Sequence, residues 1–402
     1  MNTPRVHAAL RPLFAIALLA LLARGQAQGQ GDAYGPDGYD AVDQTSTAQP
    51  VTQDSNPEAY VSELEGSAAL SSAGGDSQSV EINEPLQTGD RVVVNRMSRA
   101  EIVLPGGTIA RLDAGSDVEI MEPSRSNADV LRLAGGSMQV VIGRAASDLP
   151  VRIDTSNATA HLDPDGSYLV ETDANSAWTR VVVREGGCEL LTPNGSRRLD
   201  AGDEAQIDGD QRVRIAIGDA GRVSSIESWG ARLDDRAQQA NVRYVDPQLR
   251  YAAAPLSAGG SWLSVDGEWA WQPRVETSWR PYWNGRWAYT SSGLTWVAHE
   301  PWGWVTSHYG SWDYRDGRGW LWYPGSRYSP AWVYWYWGPS HVGWCPAGYY
   351  SRRSSGWRDG FRSGIYGWAG GWNGFLDWNF VALRYLDSPG LSRYCRRGSD
   401  LH

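Results

Sequence analysis

The stretch from Trp262 to Trp344 limits what this chain can fold into more than any other part of it. Of the 22 Trp, only Trp178 lies before Trp229, and within the stretch they recur in pairs two residues apart: Trp269/Trp271, Trp302/Trp304, Trp320/Trp322 and Trp335/Trp337. Gly, Pro, Asn, Asp or Ser bounds each pair. Period-two spacing between turn residues puts both aromatics of a pair on one face of a short strand. The run from Gly285-Arg286-Trp287 to Gly293-Leu294-Thr295-Trp296 repeats in order and turn chemistry as Gly310-Ser311-Trp312 to Gly317-Arg318-Gly319-Trp320, which predicts repeated β-hairpins. Glycine would serve there by allowing positive φ in tight turns and by letting an indole lie on bare backbone.

Two uses for so many indoles are open. One Trp or Tyr hides roughly 150–250 Å², so a few per hairpin can replace an aliphatic core. A row of exposed indoles would instead stack on sugar rings, and Trp287, Trp296, Trp312, Trp320 and Tyr309 are the candidate stacking residues for such a platform. A strand has two faces, so both uses can coexist; they part on whether that row points outward.

Residues 1–27 read as an export signal, with Arg5 and Arg11 ahead of the apolar run Leu13 to Ala23 and small residues in Gly25-Gln26-Ala27. The run is shorter than the about 20 residues of a bilayer span, and no later segment reaches that length. The expectation is a mature chain without a transmembrane segment, periplasmic or extracellular in a Gram-negative bacterium. Residues 28–57 are polar and nearly devoid of aliphatics, a composition that predicts a disordered spacer. A net charge of −10 leaves no basic surface dense enough for nucleic acid.

From residue 58 to 210 the texture is short β-type runs, such as Arg91-Val92-Val93-Val94, Ile109-Ala110-Arg111-Leu112 and Arg180-Val181-Val182-Val183, broken by turn signals such as Pro105-Gly106-Gly107 and Asp163-Pro164-Asp165-Gly166. That spacing predicts an all-β sandwich or solenoid. Residues 211–242 read as a linker with a short helix, because Ile226, Trp229, Leu233 and Ala237 recur at helical spacing. Residues 243–346 form the Trp- and Gly-rich β-repeat module, and 347–402 a partly ordered tail.

Two resemblances follow from these residues. Leu86-Gln87-Thr88-Gly89-Asp90-Arg91, Ser98 to Leu104, Gly107 to Leu112, Gly135-Gly136-Ser137-Met138 and Leu199 to Ala205 resemble, in order, the elements of a FecR-type domain. That resemblance implies a β fold and an envelope location. The family's founding members relay iron-siderophore status to a sigma factor; here an export signal stands where they carry a cytoplasmic segment, so direct sigma control is not expected. Trp279-Arg280-Pro281-Tyr282 to Gly285-Arg286-Trp287, and Pro301-Trp302-Gly303-Trp304 to His308-Tyr309-Gly310-Ser311-Trp312, resemble a Trp-rich domain of unknown function, of the DUF6600 type, that often follows a FecR-type domain in exported bacterial proteins.

No motif carries chemistry. His299, Glu300, His308 and His341 lack the close-pair spacing that metal sites favour, so neither metal nor cofactor is expected. Asp313 and Asp316, like Asp163 and Asp165, flank turns and read as caps of their own backbone rather than a hydrolytic pair. Of three cysteines, Cys345 and Cys395 are the expected disulfide, tying the tail to the aromatic module, while Cys188 sits alone in a strand. The expected protein is therefore a non-catalytic envelope scaffold or interaction and sensing module, with an envelope protein or polysaccharide as partner. Glycan binding through the Trp platform is the alternative.

Overall fold

A single long strand, Asp129–Ile142, holds the first half of the molecule together by belonging to two sheets. In the computed structural model, which describes residues 57–72, 75, 77–123, 128–143, 150–173, 175–210, 212–348 and 378–398, seventeen strands from Ala59 to Asp219 pair continuously through it. The expected export signal and most of the expected spacer lie outside the described residues.

The second half of that strand pairs with Ile109–Leu112 and Gly166–Asp173 in sheet I. Sheet I continues on one side through Arg99–Val103, Ala59–Glu65 and Pro85–Leu86, and on the other through Trp178–Glu185, Asp203–Asp208 and Arg214–Asp219. The first half pairs with Asp117–Pro123 and, in parallel, with Val151–Asp154 in sheet II. Sheet II runs outward through Arg91–Val94, Ala68–Ser71 and Gln78–Ser79, and through Thr159–Leu162, Gly187–Thr192 and Gly195–Asp200. Between the sheets lies an aliphatic core to which both contribute, including Ile102, Val140 and Val181 from one and Val92, Leu131 and Ile153 from the other. The fold is therefore all-β, a sandwich whose corner is one bent strand.

Gly136 makes the corner. Its φ of +93° is open to glycine, and a Cβ there would stand 2.5 Å from Ser116 Cα. The turn carries Ala134-Gly135-Gly136 from one sheet to the other.

Sheet I is covered on its outer face as well. Helix α1, Ser225–Gln239, opens with a capping box, the Ser224 side chain accepting from Glu227 N–H and the Glu227 carboxylate from Ser224 N–H. It lays Ile226, Trp229 and Leu233 on Leu169 and Val182 of sheet I. Burial on both faces explains why Val181-Val182-Val183 is an unbroken apolar run rather than an alternation.

The aromatic half is built from hairpins at three of the four period-two Trp pairs, while Trp302/Trp304, expected in a strand, instead opens a short helix. Gly260–Val265 and Glu268–Pro273 turn at Asp266-Gly267, both with positive φ. They join Gly319–Tyr323 and Ser311–Arg315 in a four-stranded sheet in which Trp271 faces Trp322, and Trp322 faces Trp312. Gly285–Thr290 pairs with Gly293–Ala298, setting Trp287 opposite Trp296. Val333–Trp337, His341–Pro346, Asn379–Ala382 and Arg396–Arg397 form the last sheet. Short helices α2, Leu256–Gly259, and α3, Gly303–His308, connect them. At Gly285 an added Cβ would meet Val297 O at 2.3 Å and the Trp296 ring at 2.7 Å, so the indole does lie on bare backbone.

The strand order also decides the cysteines. Asn379–Ala382 runs between the strand holding Cys345 and Arg396–Arg397, which Cys395 immediately precedes. Two strand spacings are about 9–10 Å, beyond the roughly 7 Å between Cα atoms that a disulfide can bridge. The expected Cys345–Cys395 bond is not formed; both residues are buried in the aromatic core, and burial pushes the Cys395 thiol up to about 12. Cys188 is interior in a strand of sheet II.

Gly136→Ala should lower stability by at least about 2 kcal/mol, because it combines a disallowed φ with an overlap against backbone. Urea denaturation followed by near-UV circular dichroism checks this, with Gly115→Ala, where the same φ class meets open space, as the milder comparison.

Candidate functional site

The five residues expected to form a stacking platform are interior. Trp287, Trp296, Trp312, Trp320 and Tyr309 are each 7% exposed or less, members of one aromatic core cluster. The reason lies in the number of faces: three small sheets and α3 converge on one centre, so the indole face of each hairpin meets another hairpin instead of solvent. Trp287 packs edge-on against Trp296 at 5.0 Å and against Trp344 at 5.5 Å. Indole N–H groups inside the cluster tie down the end of α3 and a loop: Trp312 donates to Thr306 O at 3.0 Å, Trp322 to Tyr309 O at 2.8 Å and Trp344 to Tyr282 O at 2.8 Å. Tyr282 itself sits at φ +55° and is held from both ends, its hydroxyl donating to Ser307 O.

The histidines considered as metal ligands are dispersed. His308 is fully buried, donates from Nδ1 to Ser329 O at 3.0 Å and packs at a tilt 4.3 Å from Trp304; burial lowers it to about 4, so it is neutral. His299 faces Glu81, and His341 lies exposed on the last sheet. Asp313 does not cap a turn: it is buried within Ser311–Arg315 and pairs with Arg315 at 2.8 Å. Asp163 pairs with Arg198. Among the described residues no group of three or more potential metal ligands gathers.

What the structure does gather is a charged network where sheet I, α1 and the start of the aromatic half meet. Arg111 is fully buried and donates to Glu101 Oε2 at 2.8 Å, to Gln139 Oε1 at 3.2 Å, to Asp234 Oδ2 at 3.0 Å and to Tyr251 Oη at 3.1 Å. Tyr251 in turn donates to Glu101 at 2.7 Å, and Ser62 to the other Glu101 oxygen at 2.8 Å. Burial opposes the Arg111 charge, but Asp234, Tyr251 and Glu101 outweigh it and hold the guanidinium protonated. Gly230 lets α1 come this close, since a Cβ there would lie 2.4 Å from both Arg111 Nη1 and Gln139 Oε1.

A second junction joins the loop before Pro85 to the Gly285–Ala298 hairpin. Asn83, at φ +63°, donates to Ala298 O and Glu300 O, both at 2.9 Å, and accepts from Trp304 N–H at 3.2 Å. Arg286 bridges Glu84 and Glu81, and Tyr60 stacks on Trp304 with ring centres 3.9 Å apart. The two halves therefore share these two polar junctions and an aromatic contact, to which Gln87 and Glu58 add hydrogen bonds with Tyr289, Ser291 and Ser292 at the hairpin turn.

Beside the Arg111 network a groove of about 780 Å³ opens between α1, the outer face of sheet I and the segment from Val242 to Tyr251. It is the candidate functional site. Sequence reasoning missed it because its residues are spread over five elements. The one available signal was Gly230, a helix-breaking residue between Trp229 and Leu233 that marks close approach of another element.

Arg111→Met should destabilise the protein by about 3–5 kcal/mol, because it strands the Glu101 carboxylate in the interior. Adding Glu101→Gln should recover part of that loss, as measured by urea denaturation. At the second junction the His299–Glu81 contact raises His299 above the usual 6.5 and lowers Glu81 below the usual 4.5. A raised imidazole stabilises fully below 6.5 and loses its contribution as pH climbs through its folded value; a lowered carboxylate stabilises above 4.5 and loses it as pH falls through its own. The pair is thus strongest between those values, and the stability of the wild type relative to His299→Gln should decline as pH rises above 6.5 in pH-dependent urea titrations.

Comparison with known proteins places both halves. The FecR protein family matches residues 90–189, and a family of unknown function, DUF6600, matches residues 253–351. No curated protein matches the chain. Two crystal structures described as "a putative anti-sigma factor from Parabacteroides distasonis ATCC 8503" are similar to it at 17% and 16% identity, each over 46% of this chain and 99% of the other with a TM-score of 0.30. The chain joins a FecR-type region to a DUF6600 region.

Proposed function

We propose that the protein is a non-catalytic recognition module of the bacterial cell envelope, exported by residues 1–27, in which the FecR-type and DUF6600 regions work as one unit. The observation that carries this reading is the pair of junctions. A buried Arg111 that depends on Glu101 from one region and on Tyr251 beside the other leaves little room for independent swinging, because separating them would expose an uncompensated charge. A partner bound by one half would then be felt by the other. FecR-type regions and an acidic, Arg-only surface fit an envelope protein or polysaccharide as partner. Among the described residues no helix is long and apolar enough to cross a membrane.

Two measurements test this. Expression from the native start, followed by fractionation and N-terminal mass spectrometry, should find a mature chain beginning near Gln28 outside the cytoplasm; full-length protein retained in the cytoplasm would refute export. Incubation of the purified protein with peptidoglycan and with neutral polysaccharides should release no soluble fragments, and release that scales with enzyme concentration would make it a hydrolase.

A further inference from the structure

We propose that the groove beside the Arg111 network binds an uncharged oligosaccharide, with Trp269 and Tyr244 as the stacking shelf at its mouth. The inference rests on the reading of the protein as a recognition module and names the ligand class of its site. The volume of about 780 Å³ lies within the roughly 300–1,000 Å³ of small-molecule sites.

The walls are made of planar, forked polar groups: Gln139, Gln238, Glu185, Arg243 and Arg250 all line the groove. Forks of this kind pair with adjacent hydroxyls on a ring, donating to one and accepting from the next. Gln139 is pre-set for this: Arg111 holds its Oε1 at 3.2 Å, which leaves the amide N–H donors for the groove. Neither Arg243 nor Arg250 is in an ion pair among the described residues, and Arg243, though its guanidinium packs on aromatic rings, keeps N–H donors along its edge.

Arg243 links these walls to an aromatic surface. Its guanidinium lies 4.7 Å from the Tyr244 ring and 5.9 Å from that of Trp269. Tyr244 and Trp269 stack 4.1 Å apart at 17°, and Trp262 leans on Tyr244 at 5.1 Å. Trp269 shares its strand face with Trp271, yet Trp271 is fully buried and Trp269 is 43% exposed. An indole left half in solvent next to hydrogen-bonding forks suits the C–H face of a sugar ring, whereas a purely apolar ligand would leave the forks unpaired.

Charge balance selects an uncharged ligand. The groove and the network behind it hold three guanidiniums, Arg111, Arg243 and Arg250, against three carboxylates, Glu101, Glu185 and Asp234, a difference of zero. A polyanion gains no net attraction there, and neither does a cation.

The test uses the whole mature chain, residues 28–402, titrated calorimetrically with cellohexaose, maltohexaose, chitohexaose and hexagalacturonate. At least one of the three neutral hexamers should bind with little salt dependence, and hexagalacturonate should not. Trp269→Ala should weaken that binding about tenfold or more and Arg250→Ala several-fold, both with unchanged thermal midpoints. Trp337→Ala, which removes an indole 45% exposed on a different sheet, should leave it unchanged. Binding by none of the neutral hexamers, tight salt-sensitive binding of hexagalacturonate alone, or full affinity in Trp269→Ala would each overturn the proposal. Failure of this kind in a protein that is exported and inert toward polymers removes only the groove's ligand; cleavage of a hexamer removes the non-catalytic reading itself.

Discussion

One guanidinium sets the relation between the parts of this molecule. Arg111 has no exposed surface, and its donors are distributed over Glu101 and Gln139 of sheet I, Asp234 of α1 and Tyr251 beyond it. A buried ion pair is weak evidence for net stability, since desolvation offsets most of its attraction, but it is demanding about geometry. Each partner must arrive together with the others. This makes the network a register device: α1 can dock on sheet I with Asp234 over Arg111 in one position, and Gly230 permits that position by leaving room where any side chain would collide. The groove is what remains between the elements so aligned.

The aromatic half solves a different problem. Hairpins of five or six residues per strand cannot bury enough aliphatic surface to hold together, and Trp supplies both area and a donor. Its rings fill the centre while its N–H groups satisfy loop carbonyls that a Leu or Phe core would leave to water. With three small sheets facing one another, few indole faces are left over. Trp269 and Trp337 are the exceptions among the described residues, each left about half exposed.

How much of this was legible depended on the range of the interaction. Three of the alternating Trp pairs and Asp266-Gly267 are local signals whose hairpins are present, whereas Trp302/Trp304, read the same way, opens helix α3. Ile226, Trp229 and Leu233 mark the buried stripe of α1 for the same reason. Arg111 was not legible, because in Ile109-Ala110-Arg111-Leu112 alternation turns a charged residue toward solvent; here the second face of the sheet is covered by a helix more than a hundred residues away. The disulfide expectation failed on a similar point, as spacing along the chain says nothing about a third strand running between Cys345 and Cys395.

The sequence by itself determined that the chain is all-β, that it changes character near residue 243, and that its second half is a set of tryptophan hairpins, because strand period and turn chemistry act over a few residues. Only the tertiary structure decided which face of each hairpin is inside, which thiols stay apart, and which polar groups surround the groove. Those outcomes depend on what a face meets after folding, and a covered sheet and an open one can share the same alternation.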